Sequence, residues 1–151
     1  MAAYSFQDFS LAIVGPGGSF TIGGDGAANA EEGVSFAMTD DKDGLVIGAD
    51  GTPMHSLHAG KSGTVTVRLQ KTSPVNQMLS AMYAAQTVSS ALWGQNTMLG
   101  RDAVRGDVIS CRQVAFKKLP DLGFGKDAGT NEWTFNAGYI DTLLGSGSPS
   151  L

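Results

Sequence analysis

The chain has 151 residues, 42% of them hydrophobic and only 16% charged, with a net charge of −4. That length suits one domain with a sizeable core and excludes two full ones, while periodic apolar runs exclude disorder. Glycine, at 21 residues, has roughly double its ordinary share, which argues against a helical bundle and for tight turns between short strands.

In chain order, Phe9 to Ile13 alternates apolar and small residues. Gly15-Pro16-Gly17-Gly18 then turns the chain into Ser19 to Ile22, which predicts a hairpin. Gly23-Gly24-Asp25-Gly26 reads as a flexible loop. Val34, Phe36 and Met38 alternate with Ser35, Ala37 and Thr39, the period of a half-buried strand. Asp40-Asp41-Lys42-Asp43-Gly44 closes a turn, and Leu45 to Gly48 runs back. Residues 49–62 have no period and read as a long loop.

Residues 63–71 form the clearest strand: Val65, Val67 and Leu69 face one way, and Thr64, Thr66, Arg68 and Gln70 the other. A helix follows, with Ser73 to cap it and Pro74 at its first position. Val75, Met78, Leu79, Met82 and Tyr83 make its apolar stripe, and it is expected to end near Thr87. Residues 108–119 predict a strand bulged near Arg112-Gln113, and residues 130–140 another with Trp133 and Phe135 on one face. A single amphipathic helix must pack on a sheet. The expected fold is mainly β, a two-sheet sandwich or partly rolled barrel with one flanking helix. It is a single domain over 1–144 with a flexible tail at 145–151.

The charge is unevenly spread. Residues 1–60 hold eight acids and one base; residues 61–151 hold nine bases and six acids. An acidic part and a basic part on one molecule can attract copies head to tail. No basic tract exists to bind nucleic acid through its phosphates. Cys111 is the only cysteine, so no intrachain disulfide forms. No apolar run approaches the ~20 residues that span a bilayer, and the N-terminus lacks the pattern of a signal peptide. These features predict folding in a cytoplasm without membrane contact.

Catalytic motifs fail on spacing. Gly60-Lys61-Ser62 lacks the glycine of a phosphate loop, since His55 stands there, and a strand follows where a helix is needed. Asp40, Asp41, Asp43 and Gly44 lack the ligand spacing and distal Glu of a calcium loop. His55 and His58 need a third metal ligand, and nothing brings Cys111 to them. Neither cofactor nor metal is expected. A low-charge, glycine-rich β domain without these motifs suits assembly or binding. The stripe Thr64, Thr66, Arg68 and Gln70 is a polar, hydratable face that can line water, and unpaired sheet edges need partners.

Residues 55–76, 90–97, 114–122 and 130–135 resemble the tail tube proteins of contractile-tailed bacteriophages, a likeness spanning nearly the whole chain. The resemblance implies a fold shared with secretion-system tube proteins. It implies hexameric rings whose inner strands join into one barrel, and rings stacked into a tube inside a contractile sheath. The resemblance also implies that the genome crosses this lumen without specific binding. Implied partners are other copies, the sheath, the baseplate, the tape measure and the tail terminator; the implied location is the virion tail, assembled in the host cytoplasm. Ser35, Ala37, Thr39, Thr64, Thr66, Arg68 and Gln70 are the lumen-facing candidates. Arg68 fits a conduit for DNA only if a carboxylate pairs with it. The length and acidity of residues 40–62 make them the candidate for ring stacking. There Asp40, Asp41, Asp43 and Asp50 would meet bases such as Arg101, Arg105, Lys117, Lys118 or Lys126. A tube of a tailocin or secretion system, and a β-sandwich binding module, are the alternatives.

Overall fold

The computed structural model describes residues 4, 8–23, 29–127 and 129–145. Seven strands form the main sheet: β1 (Phe9–Gly15), β2 (Gly18–Gly23), β3 (Asn29–Met38), β6 (Gly63–Gln70), β7 (Asn96–Asp102), β8 (Asp107–Lys118) and β9 (Thr130–Leu143). Their order is β2-β1-β7-β8-β9-β6-β3. Two further strands, β4 (Asp43–Ile47) and β5 (Pro53–Leu57), pair only with each other. The single helix among the described residues, α1 (Val75–Gln86), is too short to cross a membrane.

The main sheet is rolled. Four strands lie between β1 and β3, which would set them roughly 24 Å apart in a flat sheet. Yet the rings of Phe9 on β1 and Phe36 on β3 meet edge to face at 6.4 Å between centroids. Of the two expected arrangements, the rolled sheet is the one adopted. The β4–β5 hairpin supplies no residue to the core.

β6 shows why these residues make this sheet. Val65, Val67 and Leu69 are fully buried, while Thr64, Thr66 and Arg68 are half-buried on the other face. On β9, Trp133, Phe135 and Ala137 continue the buried face. The expected bulge is present: Met98 pairs with Cys111 but Asn96 with Val114, so Arg112 and Gln113 share one place opposite β7. Gln113 takes φ +53°, and Gly138 opposite leaves it room, since a Cβ there would lie 3.2 Å from the Gln113 Cβ.

Helix α1 fills the hollow of the roll with Val75, Leu79 and Met82. Met78, expected in the apolar stripe, is 41% exposed, because the buried face follows 75, 79, 82 and 86. Pro74, expected at the first helical position, is the N-cap itself and Ser73 precedes it; the Ser73 hydroxyl still accepts the Val75 N–H at 3.3 Å, and Thr87 closes the other end.

Two strands escaped the sequence. β7 buries Asn96, Met98, Gly100 and Asp102, only one of them a large apolar residue, so no hydrophobic period marks it. β5 lies inside the expected loop 49–62 and is exposed at every position, so burial writes no period there. Leu45 to Ile47 runs back against β5 and not against the preceding strand. The loop expected at 23–26 and the tail at 145–151 lie outside the described residues, apart from Gly23 and Gly145.

Gly63 sets the register at the start of β6. A Cβ there would lie 2.5 Å from both the Ala37 carbonyl oxygen and Ile140 Cδ1. Gly63→Ala is expected to lower stability by about 1–3 kcal/mol through overpacking, read from chemical denaturation; an unchanged midpoint would contradict the close approach.

Candidate functional site

The outer face of the sheet is polar and in register across strands. Ser35 lies opposite Thr66, which lies opposite Thr134. Ala37 lies opposite Thr64, Thr64 opposite Asn136, and Asn136 opposite Ala115. Arg68 Nε reaches Glu132 Oε2 at 3.3 Å, so the lone cation of this stripe has its carboxylate. Gln70 lies opposite Thr130, and Thr39, just past β3, donates its N–H to the Ser62 carbonyl at 3.0 Å. The seven sequence-derived residues therefore share one continuous surface of β3, β6 and the turn after β3. Sequence reasoning omitted Glu132, Thr134 and Asn136, although they alternate with Trp133 and Phe135 and were legible by period. β2 and β3 each have a hydrogen-bonded neighbour on one side only.

The hairpin β4–β5 carries the acids. Asp40 and Asp41 stand at its base, Asp43 begins β4, and Asp50 sits in the turn at its tip. Lys42 Nζ ties the base by donating to the carbonyls of His58 and Gly60. His55 Nδ1 lies 2.9 Å from Asp43 Oδ2 across the two strands. Asp50 accepts the Thr52 N–H at 3.0 Å; that bond, with the Thr52 hydroxyl, holds its carboxyl below the ordinary value. Leu45, Val46, Ile47, Met54 and Leu57 are all more than half exposed, an apolar surface unusual for a projecting hairpin.

The basic candidates divide. Arg101, Lys117, Lys118 and Lys126 are exposed, with Lys118 lying 3.9 Å from Asp121. Arg105 does not belong with them. It is 7% exposed and held by Asp102 at 2.9 Å and Asp8 at 3.1 Å, so its charge serves the fold and not a neighbouring molecule. Burial pushes the Asp102 carboxyl up, but the Arg105 N–H, its guanidinium and the Val104 N–H outweigh that and hold it below its ordinary value.

His55 and His58 sit exposed on or beside the hairpin, whereas Cys111 is buried in the core of the main sheet. Among the described residues no three His, Cys, Asp or Glu side chains gather to hold a metal.

The chain is thus a rolled sheet with one helix among the described residues, a polar outer face and a projecting hairpin. The family model described as the bacteriophage PhiTE tail tube protein matches residues 1–145. The chain belongs to this tail tube family. Its members are structural tube proteins, not enzymes. No curated protein matches the chain. Among solved structures, a chain of the anti-feeding prophage baseplate is similar over 95% of this chain and 97% of that one, at 10% identity and a TM-score of 0.51. A chain of the sheath–tube complex of an extracellular contractile injection system, PVC, is similar over 89% of this chain and 88% of that one, at 11% identity and a TM-score of 0.50. At such identities the likeness is one of fold.

The Asp102 carboxylate stabilises this tail tube chain above the ordinary aspartate range near pH 4, and that contribution falls away as pH drops through the depressed native value. Arg105→Ala is expected to lower the thermal midpoint at pH 7 far more than Arg101→Ala, and to shrink the loss of stability between pH 5 and 2. Equal midpoints for the two variants would remove Arg105 as an internal anchor.

Proposed function

We propose that this tail tube protein, with residues 1–144 as one domain, closes into hexameric rings that stack into a hollow tube inside a contractile sheath and conduct the phage genome. The observation that carries the reading is the polar face of β3, β6 and β9. Its side chains are mostly small and uncharged, and Arg68, its cation, is matched by Glu132. A wall of this kind gives DNA little net phosphate attraction, because Arg68 is matched by Glu132, and Lys118, at the edge of the face beside Thr134, lies 3.9 Å from Asp121. Ser35, Ala37, Thr39, Thr64, Thr66, Arg68 and Gln70 would then line the lumen. The half-paired edges β2 and β3 would find partners in neighbouring copies.

Rings would stack through the acidic hairpin, with Asp40, Asp41, Asp43 and Asp50 facing bases of the next ring. Lys117 and Lys118 suit that role. Arg101 pairs with Val108 and Val108 with Leu143, which places Arg101 at the hairpin's own end of the sheet. The sheath and the baseplate are the expected partners, since the solved neighbours come from a sheath–tube complex and a baseplate, and the terminator would cap the finished tube. The tape measure would occupy the lumen before DNA. The protein would assemble in the host cytoplasm and end in the virion tail.

A tailocin or injection-system tube is the second reading, favoured by the origin of both solved neighbours. Capsid and packaging genes beside this gene would decide for a phage.

Negative-stain electron microscopy of the purified protein is expected to show rings or hollow tubes at high concentration; monomers at every concentration, with or without an assembly initiator, would overturn the reading. Reversing Asp40, Asp41 and Asp43 to Lys is expected to leave rings but shorten or abolish tubes at physiological salt. Tubes of normal length would remove these acids from stacking.

A further inference from the structure

A groove of about 250 Å³ lies where α1 begins, beneath the loop that follows β8. Asn76, Ser80, Leu119, Leu122, Asn131 and Trp133 line it, and its wall is mostly apolar. Leu122 is 64% exposed and Phe124, further along the loop, 88%. The loop is held in place: Lys71 Nζ donates to the Gly123 carbonyl and lies 4.3 Å from the Phe124 ring centroid. Trp133 donates its indole N–H to Asn76 Oδ1 at 3.0 Å, so those two polar groups are matched. Asn131 is different. It is 9% exposed, and its Oδ1 is buried with no hydrogen-bond partner. A buried acceptor without a donor is costly, and in an apolar groove it marks a place where an incoming group supplies the donor.

The hairpin has the complementary surface. Its exposed Leu57, at 87%, is the least covered of its apolar side chains. Gly48 donates to Thr52 and His58 to Lys42, which fixes the alternation of the β4–β5 ladder. By that alternation the N–H groups of His55 and Leu57 point away from β4. A strand edge therefore carries an apolar side chain and a free N–H side by side.

Position makes the occupant a second copy. The hairpin springs from the chain just before Gly63, the first residue of β6, while the groove lies past Gln70, its last. Eight residues of strand separate the two ends by roughly 25 Å. The charges also correspond. The hairpin region 40–58 holds four acids and Lys42. Beside the groove, Lys71 holds the loop at Gly123 and Phe124, Lys118 lies 3.9 Å from Asp121 on the adjoining face with Glu132, and the segment 117–127 holds three bases against two acids. A contact between opposite ends of like molecules is heterologous and repeats without limit along an axis.

We propose that the groove at Asn131 and Trp133 receives the β5 edge of a second copy's hairpin, with Leu57 entering the apolar wall and an edge N–H satisfying Asn131 Oδ1. The proposal rests on the stacked-tube reading and names its socket.

The test mixes two full-length proteins, Leu57→Cys and a larger, tagged Leu122→Cys, under assembly conditions with diamide as oxidant. Cys111 stays silent, because burial pushes its thiol up to about 11 and keeps it protonated and enclosed. The expected result is a heterodimeric disulfide in the mixture, absent from either variant alone. Ser80→Trp, at an exposed helix position on the groove wall, is expected to leave circular dichroism unchanged and to stop growth at rings. Wild-type tubes with no heterodimer, together with normal tubes from Ser80→Trp, would overturn the socket alone and leave the groove to another partner. A heterodimer without tubes would support the contact and overturn the tube reading. Neither tubes nor heterodimer would overturn both.

Discussion

Phe116 is the side chain on which the architecture turns. It projects from β8 into the hollow of the roll, 4.8 Å between ring centroids from Phe135, 6.0 Å from Trp133 and 5.5 Å from Tyr83. Two strands and the helix thus share one aromatic cluster, with edge-to-face contacts that add to the burial of large apolar surfaces. Because a strand alternates, committing Trp133 and Phe135 inward commits Glu132, Thr134 and Asn136 outward. The polar outer face follows from where the aromatic residues are buried.

Rolling the sheet solves a problem of supply. A seven-stranded sheet has a wide apolar face, and one twelve-residue helix cannot cover a flat one. Curling brings β1 and β3 together at Phe9 and Phe36, and the sheet covers part of itself. Gly100 makes the closure possible, since a Cβ there would sit 3.1 Å from the Phe36 ring. The polar groups drawn inside are matched. Gln86 and Asn96 exchange amide hydrogen bonds at 2.6 and 2.9 Å between helix and β7, and Arg105 neutralises Asp102 at the other end of that strand. Asn131 is the buried side-chain atom left over among the described residues.

The legible elements were those where burial alternates with exposure over apolar side chains: β6, β9, the apolar face of α1, and the slip at Arg112-Gln113 that marks the bulge. β7 was illegible because its inward residues other than Met98 are Asn96, Gly100 and Asp102, whose burial depends on Gln86, the Phe36 ring and Arg105 from distant segments. β5 was illegible for the opposite reason, having no buried side to record. Arg105 and Lys118 look alike as letters, yet one is enclosed by Asp8 and Asp102 and the other is exposed. The candidate face at β6 was readable from Thr64, Thr66, Arg68 and Gln70, and the outward residues of β9 from its own alternation; only the pairing that joins the two into one face required the structure.

By itself the sequence determined the class of fold, the helix after Pro74, the absence of an intrachain disulfide, and an acidic stretch at 40–50 ahead of a basic half. These follow from local period, residue counts and charge, which need no knowledge of contacts. Only the tertiary structure decided that the sheet rolls, that Arg68 meets Glu132, that the acids ride on a hairpin at one end, and that a groove with an unmatched acceptor opens at the other. Each of those depends on residues far apart in the chain, and pairing at a distance is settled by packing and strand register, not by local composition.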